Sequence, residues 1–340
     1  MSQTNKFSTH LSKLQWIILL AVLIALLIPR FDRADRFGLD QFTTKGNPAI
    51  EHLADAKKYI DQIRYFRGEG GVELLKAPWV YRPIPALLAT PIPLEPMTAL
   101  NVVNFFALCI GLFYLVRVLQ KLNLSNTTVF IGGLSFVASF PVFFYGSIGY
   151  VEPVLIAWLS VGLYAIFYQK HLLYFALLLT GAFVKDPFII SLPVWLFYQL
   201  FVAQKSWIKS IAIFVIAFAA FVGSLAVARE VSNAATDFYW LPSERMLEFN
   251  VYRLRSWFSW ALTLGPIGML ALAYVLKENF GLFRKPLDLT LAIGFAGAIS
   301  VMIYSMFTVY VDGRYFWIAY PFMIPLGCRL IESWKIFQKT

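Results

Sequence analysis

The sequence predicts an all-α protein, a polytopic transmembrane helical bundle of about ten spans, formed by residues 1–340 as one domain. Three observations point there. Of the 340 residues, 59% are hydrophobic and only 14% are charged, against about half and about a quarter in a soluble domain. The mean hydropathy is +0.67. The apolar residues also fall in runs close to the roughly 20 residues that a helix needs to cross a bilayer. Short polar connections separate these runs, and 30–96 is the one large polar excursion.

The first run, 14–29, follows Lys13 and precedes "RFDRADRF". No small-residue cleavage site follows it, so it reads as an uncleaved anchor. The later predicted spans are 97–116, 127–146, 150–168, 171–184, 187–204, 208–228, 257–276, 287–311 and 314–333. The run 171–184 is short, and a broken hairpin with the next span is expected, pivoting at Lys185-Asp186-Pro187.

Inside the polar excursion, Asn47-Pro48 offers a helix start and Gly68, Gly70 and Gly71 a stop. Leu53, Ala56, Ile60 and Ile63 recur between them at helical spacing. An amphipathic helix lying on the bilayer surface is expected. "YRPIPALLATPIPLEP" follows from Tyr81 to Pro96, with five prolines in sixteen residues. Eleven residues from Pro83 to Pro93 are too few to span, so the segment reads as re-entrant or interfacial.

Cys109 and Cys328 both lie in apolar runs, which argues against a disulfide framework. His10, His52 and His171 are scattered, so no metal-ligand cluster is expected. The charges sort by end. With ten spans, one side collects thirteen basic residues against only Glu278, Asp288 and Glu332, and the other balances sixteen against sixteen. A positive-inside orientation follows, with a cytoplasmic N-terminus. Asp55, Glu152, Lys185, Asp186, the 229–256 loop and Asp312-Gly313-Arg314 then share the opposite, outer face. A site at one membrane surface fits this pattern better than an ion path through the middle. A nucleic-acid role does not fit basic residues spread over short loops; they suit anionic lipid head groups.

Five patches carry candidate chemistry. Asp55 and Tyr59 are four apart and share a helix face beside His52; the plain alternative is Asp55 paired with Lys58 or Tyr59. "GYVEP" places Glu152 at a span's start, as a ligand contact or only a cap. "AFVKDP" places Lys185 and Asp186 at a proline-marked break, as a phosphate contact or a local ion pair. "VDGRYF" places Arg314 and Tyr315 at a span's end, for phosphate recognition or for membrane anchoring. Arg82 opens the proline-rich segment.

The apolar anchor, then "DAKKYI", "YRPIPALLA", "GYVEP", "AFVKDP" and "GRYFWIAYP" in that order, resembles the bacterial members of the GT-C superfamily of integral membrane glycosyltransferases. The Tyr-x-Glu-Pro element is similar to one in the GPI mannosyltransferase relatives. The resemblance implies a multi-pass protein of the bacterial inner membrane. It implies Asp55 as catalytic base, with Tyr59, Arg82, Glu152, Lys185, Asp186, Arg314 and Tyr315 around the donor phosphate. Many relatives carry glycine and aromatics after the aspartate, where this chain has Ala56, Lys57 and Lys58. Asp32, Asp35, Asp40 and Asp61 therefore stay open as alternatives.

The implied reaction is inverting transfer of a sugar, hexosyl or mannosyl, from a polyprenyl-phosphate donor to a lipid, glycan or protein acceptor on the outer face. A phosphate leaving group needs no strong general acid. It needs one carboxylate to take the acceptor's proton and cations where phosphate charge gathers. No DxD-type pair follows the anchor, so the residues do not imply a divalent metal; some of the relatives it resembles use one, and metal dependence stays open. Two other classes remain open: a flippase or transporter of a lipid-linked substrate, and a non-catalytic component of a polysaccharide assembly system.

Overall fold

The computed structural model describes residues 11–31, 50–234 and 241–334, with side chains from residue 55 onward in the second stretch. Every regular element among the described residues is helical. In chain order the α-helices are α1 (Lys13–Leu27), α2 (Ile50–Phe66), α3 (Pro83–Ala89), α4 (Pro96–Lys121), α5 (Asn126–Val137), α6 (Phe140–Tyr145), α7 (Glu152–Phe167) and α8 (His171–Val184). They continue with α9 (Ser191–Phe197), α10 (Trp207–Glu230), α11 (Glu244–Tyr252), α12 (Leu254–Glu278), α13 (Pro286–Thr308), α14 (Gly313–Trp317) and α15 (Tyr320–Glu332).

Among the described residues, six helical stretches are long and apolar enough to cross a membrane: Lys13–Arg30, Pro96–Lys121, Asn126–Tyr145, Trp207–Glu230, Leu254–Arg284 and Pro286–Thr308. The other four predicted spans are shorter or broken. α7 and α15 lie at the centre of the bundle and are buried on nearly every side. α7, apolar on nearly every side, belongs inside and packs on α4 and α8, while α15 packs on α12, α13 and α5. The 187–204 run breaks into a 3₁₀ turn, α9 and a π turn. The expected break before it lies at Lys185, whose backbone is extended at φ −172° and ψ 138°. α12 kinks at Gly265, which takes φ +55° ahead of Pro266. That conformation favours glycine, and the proline removes a helix hydrogen bond.

The polar groups gather at two ends. At one end Arg329 Nε donates to Asp288 Oδ1 at 2.8 Å and Tyr274 to Asp288 Oδ2 at 2.6 Å. Lys285 pairs with Glu278, and Glu332 accepts from the amide and hydroxyl of Ser125. The three acids that the sequence places on the basic side are all partnered. The candidate site residues lie at the other end, where α4 and α7 begin and α8 ends.

α2 is the helix expected in the polar excursion, and it packs on α3 and α4 with Ala56, Tyr59 and Ile63 buried. Arg67, just past its end, donates to the carbonyls of Thr90, Ile92 and Leu94, at 3.2, 2.7 and 2.9 Å. This fastens the proline-rich turn between α3 and α4. Asn47 and Pro48 lie outside the described residues.

Small residues set the helix spacing. A Cβ on Gly294 of α13 would enter the Phe322 ring of α15. Gly294→Ala is expected to cost about 1–3 kcal/mol by overpacking, read as a lower Tm of the detergent-solubilised protein.

Candidate functional site

A cavity of about 550 Å³ opens at the end where these charged residues meet. One wall is α2, which presents Asp55 and, one turn later, Tyr59. Asp55 Oδ1 accepts from Trp79 Nε1 at 3.1 Å and Oδ2 from Arg314 Nη1 at 2.9 Å. Its side chain stays 27% exposed, so lone pairs remain open to the cavity.

Arg314 enters from α14 and is 4% exposed. Asp312 caps that helix by accepting from the Arg314 amide at 2.9 Å, and it also takes the guanidinium Nε at 3.0 Å. The guanidinium lies 4.0 Å from the Tyr150 ring centroid, a cation–π contact. Gly313 is needed between them because Thr263 and Ser259 of α12 leave no room for a Cβ. The Gly313 amide donates to Ser259 Oγ at 2.8 Å. Asp312 thus turns Arg314 toward α2.

Glu152, 3% exposed at the first position of α7, forms a close ion pair with Lys185. Lys185 lies 5.7 Å from the Tyr315 ring centroid. Arg82 bonds Asp186 at 3.2 Å and Tyr59 at 3.5 Å. Burial pushes the Tyr59 phenol well above its ordinary pKa, and the nearby Arg82 charge offsets only part of this. Tyr59 therefore stays a neutral hydrogen-bonding group. Burial also works against the Arg82 charge, but Asp186 and Tyr59 more than compensate and raise its pKa.

The facing wall is α11, contributing Arg245, Met246 and Phe249. Asn250 holds it in place: its amide donates to the carbonyls of Met306 and Val309 at 2.9 and 2.8 Å, and its oxygen accepts from Val311 N at 2.8 Å. Asn250→Leu leaves these backbone groups without partners, at a cost of about 1–3 kcal/mol. Hydrogen exchange over 244–252 is expected to accelerate as α11 loosens.

The residues chosen from sequence converge. Asp55, Tyr59, Arg82, Glu152, Lys185, Arg314 and Tyr315 line the cavity. Asp186 is 40% exposed and reaches the site through Arg82. The plain pairings fail. Asp55 bonds Arg314 and not Lys58 or Tyr59, and Lys185 and Asp186 bond different partners. Their spacing explains the second point, since consecutive side chains diverge on an extended backbone. Asp61 is buried and bonded to Lys57 at 2.8 Å, away from the cavity lining. Asp32, Asp35, Asp40 and the His52 side chain lie outside what the structure describes. Trp79, Tyr150 and Arg245 were missed. Tyr150 sat inside the GYVEP patch, Trp79 lay two residues before the proline-rich segment, and Arg245 had no motif.

Among the described residues no group of three His, Cys, Asp or Glu is placed to hold a metal ion. No protein family, characterised protein or solved structure matches the chain.

Proposed function

We propose that the protein is a GT-C-type membrane glycosyltransferase that uses a polyprenyl-phosphate sugar, with Asp55 as general base. One observation carries this reading: a partly exposed carboxylate, oriented by Trp79 and Arg314, faces a cavity of aromatic rings and cations at one end of an apolar bundle. Each feature answers a need of the chemistry. The acceptor hydroxyl attacks the sugar's anomeric carbon and its proton passes to Asp55. The bond from that carbon to phosphate oxygen breaks, and the polyprenyl phosphate leaves with the electron pair, inverting the configuration. Cationic side chains on the cavity wall lower the energy of the charge that gathers on phosphate. Trp79 and Tyr315, both partly exposed in the cavity lining, offer faces for a sugar ring.

Radiolabelled polyprenyl-phosphate sugars and nucleotide sugars, supplied in turn to membranes containing the protein, test the class. Label moving from the lipid phosphate into a new glycosidic bond is expected. Label crossing the membrane still attached to its lipid, with no transfer, would favour a transporter instead.

A further inference from the structure

Resting on that reading, we propose that the donor's phosphodiester docks on the α11 wall, against Arg245 with Arg253 behind it, and that its hydrocarbon chain leaves along the start of α12. Three observations meet here. First, the cations read from sequence as phosphate ligands are already committed. Arg314 faces Asp55 and Asp312, Lys185 faces Glu152, and Arg82 faces Asp186. The cluster holds four carboxylates against three cations, so an added phosphate meets a net negative framework. Arg245 differs. It is exposed, lines the same cavity, and makes no ion pair or hydrogen bond among the described residues, with neither Glu244 nor Glu248 reaching it.

Second, Arg253 lies behind the same wall. Its guanidinium sits 4.3 Å from the Tyr310 ring centroid and 5.1 Å from that of Phe249, both cavity-lining residues. Its Nη1 is buried with no hydrogen-bond partner. Among the described residues neither arginine pairs with a carboxylate; Arg245 lines the cavity with Arg253 behind Phe249, and arginine suits phosphate oxygens through its planar donor fork. Third, the wall continues into an apolar surface. Phe249 both lines the cavity and is exposed, and Tyr252, Leu254 and Phe258 beyond it are exposed as well. A phosphate with a long hydrocarbon tail matches this sequence of surfaces. Asp55 stands on the α2 wall, so the sugar would lie between the phosphate and the base.

The test is binding of radiolabelled polyprenyl phosphate to the full chain in nanodiscs, with inorganic phosphate as competitor. Arg245 is exposed, so its substitution does not threaten the fold. Arg245→Ala is expected to weaken lipid-phosphate binding by about ten- to a hundred-fold, as loss of a charge-assisted hydrogen bond does, and Arg245→Lys to restore part of it. Leu254→Gln with Phe258→Gln should weaken the lipid phosphate while leaving competition by inorganic phosphate unchanged. Inorganic phosphate binding as tightly as the lipid, with the same Arg245 dependence, would overturn the lipid assignment. Unchanged lipid binding in Arg245→Ala would overturn the α11 subsite and leave the transfer reading at Asp55 standing. A wild-type protein that binds neither compound would overturn both.

Discussion

Arg314→Met is expected to remove transfer activity and to destabilise the protein by about 3–5 kcal/mol, the cost of breaking a buried ion pair from one side. The guanidinium is buried and serves two carboxylates while stacking on Tyr150. Its loss removes the guanidinium contacts of the buried Asp312 and of Asp55, leaving Trp79 alone among the described residues to orient Asp55 on that wall. Arg314→Lys should rescue little, because one ammonium cannot reproduce the Nε and Nη1 contacts at once. Arg314→Met combined with Asp312→Leu should recover part of the Tm, since removing both charges avoids the uncompensated one, but none of the activity. Thermal unfolding and transfer rates of the four proteins separate the two roles. An Arg314→Met protein with wild-type Tm and rate would rule out the arrangement described at α14.

Asp55→Asn is expected to slow transfer by about 10²–10⁴-fold, the usual contribution of a positioned general base, with only a small change in Tm. The asparagine keeps the shape and can still accept a bond from Trp79 or Arg314, while the proton acceptor is gone. Asp55→Glu moves the carboxylate by about one methylene, and a displacement near 1 Å can itself cost about 10²-fold. Two comparisons sharpen the result. Asp61→Asn should leave the rate within a few-fold, because Asp61 bonds Lys57 outside the cavity lining. Glu152→Gln should instead lower the Tm, because it strands the buried Lys185 charge. Rates measured in membranes at saturating donor distinguish these cases.

Much of the site was legible in the sequence because each short patch sits where a helix begins or breaks. Glu152 opens α7, Lys185 follows α8, and Asp312 caps α14. Ionisable residues in an apolar chain survive at such ends, and the parity of the apolar runs sends these ends the same way. The partners were not legible. Asp55 and Arg314 are 259 positions apart, and no local pattern encodes that contact. Lys185 and Asp186 are neighbours in sequence, yet the extended backbone turns them to different partners. Helix lengths failed for a related reason: the 187–204 and 314–333 runs are interrupted by turns and short helices that hydropathy does not register. The apolar spacing of Leu53, Ala56, Ile60 and Ile63 made the α2 helix legible, but not the burial of its Tyr59 and Gln62. Arg245 stood in no motif, and only its place on the cavity wall distinguishes it.

The most direct measurement is a product analysis with wild-type protein in nanodiscs, a polyprenyl-phosphate sugar of known anomeric configuration and a membrane extract as acceptor source. One polyprenyl phosphate released for each new glycosidic bond, with the anomeric configuration inverted by NMR, is the expected result. Retained configuration, or lipid phosphate released without any glycosidic bond formed, would contradict a single displacement with Asp55 as its base.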